Sequence, residues 1–169
     1  MTDGKEADAL RAVSALDQKL LAQPSAAIGC LKREILRMSQ IVEVMFRPVM
    51  ELYETGDSEK ISSVRIKDKA VNSALDGIRR YATALGNESL SKTEKRNVRE
   101  LVEYAINVEM AGDVIAKRLL VLAQRRAGDN VKFSTDGWDE PTRVHERVCY
   151  NVSLASNVLV AENIDSARV

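Results

Sequence analysis

Apolar residues recur along this chain at alternating spacings of four and three. Leu31, Ile35, Met38, Val42, Met45, Val49 and Leu52 form an unbroken seam of this kind, which is the pattern of one helix face packed against a partner. It predicts a long helix that stops at T-G-D-S (55–58), where Gly56 can turn left-handed and Asp57 or Ser58 can cap the next helix. Pro48 lacks an amide hydrogen and its ring clashes with the preceding turn, so a kink is expected near Val44 to Pro48.

A second seam runs through Val64, Asp68, Val71, Leu75, Ile78, Ala82 and Leu85, with one charged residue, Asp68, at an inward position. Gly86-Asn87 closes it. S-K-T-E (91–94) then reads as a capping box that opens a third helix, with a seam of Leu101, Ala105, Val108, Gly112, Ile115, Leu119 and Leu122. A loop is expected from Gly128 to Pro141, with Pro141 in the first turn of a fourth helix through Val144, Val148, Val152, Ala155 and Leu159. Ahead of all this, Ala9 to Leu21 can form a short amphipathic helix that Pro24 ends. Nowhere does a period of two lie between hairpin turns, so no strand pair is expected.

The expected fold is all-α, an elongated antiparallel three-helix bundle with an additional C-terminal helix. Helices of this length, roughly 35–50 Å, joined by short loops can bury their seams only side by side. The expected organisation is an N-terminal segment (1–28), a three-helix unit (29–127), a loop (128–141) and a fourth helix (142–169).

Composition narrows the function. The 169 residues are 45% hydrophobic and 30% charged, as in folded proteins, and 25 basic residues balance 25 acidic ones, which argues against nucleic acid as a partner. No apolar run approaches the roughly 18 residues of a membrane span, and the start lacks the pattern of a signal peptide, so a soluble, cytoplasmic chain is expected. Cys30 and Cys149 have no Cys or His neighbour at ligand spacing and read as reduced packing residues.

The candidate chemistry lies in V-E-M-A-G-D (108–113). Glu109 and Asp113 are four residues apart, hence on one helix face at the edge of the seam, and Gly112 between them permits close approach of another helix. That helix would bring Asp68, with Asn72 at i+4, so that four oxygen donors could meet. Such a cluster needs cations, either Lys and Arg or a metal, and oxygen donors suit Mg²⁺, Ca²⁺, Mn²⁺ or iron. The plainer alternative pairs Glu109 with Arg79 or Arg80, Asp113 with Lys117, and Asp68 with Lys67 or Arg65. His145, the one histidine, has no nucleophile that sequence can assign to it and reads as a surface or partly packed residue, so no catalytic residue is expected.

Several stretches together resemble a known family. L-D-Q-K-L-L-A-Q-P-S-A-A-I (16–28), K-R-E-I-L-R-M-S (32–39), I-K-D-K-A-V-N (66–72) and N-V-E-M-A-G-D-V-I (107–115) are similar to PhoU-like domains. F-S-T-D-G-W (133–138) and H-E-R-V (145–148) resemble the version at the cytoplasmic C-terminal end of bacterial sodium-dependent phosphate cotransporters. The resemblance implies an acid-x-x-x-Asp metal signature, often for iron, on two helices of each three-helix repeat. Glu109 and Asp113 match it fully; Asp68 matches the first acid of the other, where Asn72 replaces the expected Asp. It also implies a non-enzymatic regulator of phosphate uptake at the cytoplasmic face of the inner membrane. Its implied partners are a transporter membrane domain or a phosphate-signalling protein, and a second copy of itself. On this reading 1–169 is a piece of a longer chain whose membrane part precedes Met1. The alternatives are a plain helical oligomerisation module, a stand-alone PhoU-type regulator and a metal-dependent phosphohydrolase.

Overall fold

A computed structural model describes residues 13–129 and 133–166, with the side chains of 135 and 158–166 excepted. The described chain is helical, with no strand. Helix α1 (Pro24–Phe46) and helix α2 (Val49–Thr55) form one rod broken at Arg47-Pro48, as the proline requires. Helix α3 (Ser58–Gly86) is the second rod. The third comprises α4 (Lys92–Val114), a π-helical turn (Ile115–Leu119) and α5 (Leu120–Asp129), and the fourth is α6 (Thr135–Ser166).

Local chemistry sets the ends. Gly56 stands at φ 64° as the left-handed stop of α2, and Asp57 caps α3 by accepting from the Glu59 and Lys60 amides. A Cβ on Gly56 would lie 2.3 Å from Ala127 Cβ, so the glycine also admits α5. The Ser91–Glu94 capping box starts α4. Pro24 begins α1 instead of ending an earlier helix, because at the first position its missing amide costs nothing.

The helix expected over 9–21 is not formed where the chain is described. Residues 9–12 lie outside the described residues, and the rest holds only a 3-10 turn, Gln18–Leu20. Contacts to the bundle fix this segment instead. The Ala15 amide donates to Glu34 Oε2 at 2.7 Å, and the Tyr81 hydroxyl donates to the Asp17 carbonyl at 2.8 Å. A helix this short is marginal in water, so two such bonds decide against it.

All seven residues of the first seam are buried, and α1 packs against α3, α4 and α6, while α3 packs on α4 and α2 on α5. The third seam departs from expectation. Up to Ile115 it runs inward, but then Leu120 and Ala123 are fully buried while Leu122 is 49% exposed. The π-turn is the cause. It inserts one residue per turn and moves every later inward position on by one.

Helix α6 differs too. It starts at Thr135, where Ser134 Oγ accepts the Gly137 amide at 3.1 Å, so Pro141 lies inside the helix and the expected loop is short; residues 130–132 fall outside the described residues. Its face toward α1 is formed by Thr142, His145, Cys149, Val152 and Ser156, whereas Val144 and Val148 are exposed. Leu159 lies beyond the described side chains. The F-S-T-D-G-W stretch clasps Arg126, whose guanidinium lies 5.0 Å from the Phe133 ring and 5.5 Å from the Trp138 ring while donating to the Tyr53 carbonyl.

Candidate functional site

The acidic residues are set at the junction of α3 and α4. Gly112 is buried there, and a Cβ on it would meet Val42 Cγ2 at 3.5 Å, Val71 Cγ1 at 3.6 Å and Asp68 Oδ1 at 3.7 Å. The glycine therefore brings α4 against both α1 and α3 and turns the Asp68 carboxylate toward the backbone of the V-E-M-A-G-D stretch. Asp68 is 9% exposed, and its Oδ1 is buried without a hydrogen-bond partner. Burial first, and then the negative charge of Asp113, push the Asp68 carboxyl above its ordinary value, with Lys117 opposing them.

Two of the expected oxygen donors thus feel one another directly, Asp68 from α3 and Asp113 from α4. Glu109 is half-buried on the same face and acts on the same cation, Lys117. Asn72 is half-buried one turn beyond Asp68. The suggested partners Arg79, Arg80 and Arg65 are not used; Arg65 donates instead to Gln124 Oε1 at 2.9 Å.

Lys117 is the residue that answers the acids. Its Nζ lies 2.5 Å from Asp113 Oδ1, while Asp113 itself is 32% exposed and Lys117 60% exposed. The hydrogen bond with Asp113 raises the Lys117 ammonium above its ordinary value; burial opposes it, and the charges of Asp113, Asp68 and Glu109 add to the rise. One ammonium faces three carboxylates, and it stands in the π-turn. The plainer sequence reading had this pair, but nothing in the sequence marked the turn. Both Ile115-Leu119-Leu122 and Ala116-Leu120-Ala123 are apolar triads, so either register satisfies the pattern.

The resemblance implies a metal here, and the donors answer that in two parts. An orphaned, buried carboxylate oxygen beside Asp113 fits a cation. Yet the charge opposite Asp113 is already supplied by Lys117, Asn72 brings no charge, and among the described residues no three His, Cys, Asp or Glu side chains converge at metal-ligand spacing. As folded, the cluster fits one singly charged cation.

His145 and Cys149 form a separate constellation. His145 Nε2 lies 3.0 Å from the Phe46 carbonyl, and Cys149 Sγ is 3.8 Å from the same nitrogen. Burial pushes the Cys149 thiol up, away from the thiolate form that a nucleophile needs. The pair fastens α6 to the kink of α1. No helix among the described residues is long and apolar enough to cross a membrane.

Residues 35–117 match the family model described as the PhoU domain, a range that contains Asp68, Asn72, Glu109, Asp113 and Lys117. The chain is 26% identical over 153 residues to proteins named "Putative inorganic phosphate export protein YjbB" from Escherichia coli (strain K12) and Salmonella typhimurium (strain LT2), covering 90% of this chain and 28% of each of them. It therefore spans little more than a quarter of the length of the curated relatives it matches. No solved structure matches it.

Proposed function

We propose that this chain, whose residues 35–117 match the PhoU domain model, is a non-enzymatic regulatory and interaction domain of a phosphate transport protein. The observation that carries this reading is that the matched range spans the α3–α4 junction, where Asp68 and Asp113 meet, within relatives named for phosphate export. A bundle closed on its own core offers its outer faces to a partner. That partner is the membrane part of a phosphate transporter, at its cytoplasmic face, with a phosphate-signalling protein or a second copy of the chain as further candidates. The family resemblance implies a divalent cation or iron at Asp68, Glu109 and Asp113, with Asn72, where the Lys117–Asp113 ion pair already supplies one positive charge. Any such ion would supply positive charge that draws α3 and α4 together.

The test is flux of radiolabelled phosphate in cells whose full gene either keeps or lacks the segment encoding 24–166. A change in rate, in either direction of transport, is expected; equal rates would remove the reading. A second reading, a plain helical oligomerisation module, is favoured by the exposed Val144, Val148, Tyr150 and Leu154 on α6. It predicts a tight dimer in light scattering that Val148→Glu dissociates, with phosphate flux indifferent to the segment.

A further inference from the structure

We infer that the outward face of the third rod, from Glu103 to Leu122, is where a second copy of this chain docks, antiparallel and centred on Met110-Ala111, with Glu103 of each copy paired to Arg118 of the other. This rests on the reading that a second copy is among the partners, and it gives that contact a place away from α6.

Helix α4 packs on α1 and α3, and its far side is left bare. Over the first turns that side is charged, with Arg96 and Glu100 3.6 Å apart as an ion pair. Then its character changes. Met110 is 57% exposed, Val114 52% and Leu122 49%, with Ala111 exposed among them. Among the described residues, α1 exposes no large apolar side chain and α3 exposes only Ile66. A contiguous apolar stripe of this kind marks a contact surface.

The stripe is bracketed by two charges that nothing answers. Glu103 and Arg118 are both exposed, and neither has an ion pair or hydrogen-bonded side chain among the described residues. Arg118 has no carboxylate within helical reach, since Val114, Ile115, Val121 and Leu122 occupy those positions. The π-turn aligns the two. An uninterrupted α-helix, at ~100° per residue, would carry position 118 roughly 60° round from position 103. In the wider π-turn each residue advances only ~80°, which returns Arg118 to within about 20° of Glu103.

Opposite charges at the two ends of one face make that face complementary to itself. Their midpoint falls between Met110 and Ala111. A two-fold axis there sets Met110 on Met110 and Val114 on Asn107, and forms the Glu103–Arg118 pair twice, once on each side. Arg125 then comes level with the Arg96–Glu100 pair of the other copy. A parallel pairing would set Glu103 on Glu103 and Arg118 on Arg118, so charge selects the antiparallel one. At a crossing angle of ~20° the ion pairs lie about 11 Å from the axis, where long side chains span the gap. The stripe is narrow, so the dimer is weak, with Kd on the order of 10–100 µM.

The experiment is analytical ultracentrifugation of the 169-residue chain from micromolar to millimolar concentration. Wild type is compared with Glu103→Arg, Arg118→Glu, the Glu103→Arg/Arg118→Glu exchange, Val114→Glu and Val148→Glu, with circular dichroism confirming each fold. Wild type should dimerise, and each single charge reversal should weaken the dimer at least about tenfold. The exchange should restore it, Val114→Glu should abolish it, and Val148→Glu should match wild type. A dimer lost in Val148→Glu but indifferent to Val114→Glu would overturn this surface while keeping the second copy as a partner. A dimer that the exchange fails to restore would overturn the register. A monomer at every concentration would remove both the surface and the second copy.

Discussion

The His145 Nε2–H donates to the Phe46 carbonyl oxygen, 3.0 Å away, at the point where Pro48 breaks the first rod. A carbonyl accepts and cannot donate, so the proton must sit on Nε2. The Phe46 and His145 rings also lie 4.6 Å apart, centroid to centroid. A helix break leaves backbone groups without helical partners, and a side chain from α6 fills one such vacancy.

His145→Ala should therefore cost about 1–2 kcal/mol, since it strands a part-buried carbonyl and removes the ring contact. Urea unfolding measures the loss. Hydrogen exchange should show α6 amides exchanging faster while those of α3 change little; uniform acceleration across all rods would contradict this assignment.

Asp68→Asn should stabilise the metal-free protein at pH 7, by on the order of 1 kcal/mol, because it removes a buried charge that lacks its own hydrogen bond. The sign with pH follows from the raised carboxyl. The folded state holds that proton more tightly than the unfolded one, so its contribution is full below the ordinary value of 3.8 and is lost as pH rises through the higher folded value. The advantage of the variant should shrink as pH falls toward 3.8, and an advantage constant with pH would show that charge is not its source.

Gly112→Ala should raise stability by about 0.5–1 kcal/mol. The new methyl would meet Val42, Val71 and Asp68 at 3.5–3.7 Å, ordinary contact distances, and alanine is the better helix former. Gly112→Leu has no such room and should destabilise. Equal losses for both variants in chemical denaturation would mean that the helices cannot accept even a methyl.

Leu120→Ala and Leu122→Ala test the register after the π-turn. Leu120 is fully buried, and its truncation should cost roughly 2–5 kcal/mol. Leu122 is half exposed, and its truncation should cost less than about 0.5 kcal/mol. The reverse order would restore the uninterrupted α-helical seam.

Legibility in the sequence followed from how local the deciding force was. The seam from Leu31 to Leu52, the stop at Gly56 and the Ser91–Glu94 box are set by neighbours within a turn or two, and the structure carries all three. The N-terminal segment and α6 were misread because distant partners decide them. Glu34, Tyr81 and Phe46 capture groups 19 to 99 residues away in the chain. At the acidic cluster the residue types and the i,i+4 spacing were readable. The exposure of Lys117 and its place in a π-turn depend on the third dimension.

The π-turn also bears on how the length of this chain could vary. It is geometrically one residue of surplus in the third rod. Deleting Arg118, which is exposed, would let Ile115–Leu119 close into a regular turn and still deliver Leu120 and Ala123 to the core. The same deletion two turns earlier would rotate the following seam out of the bundle. Related chains one residue shorter at this place can thus share the same interior, and differ from this one at the position from which Lys117 reaches Asp113.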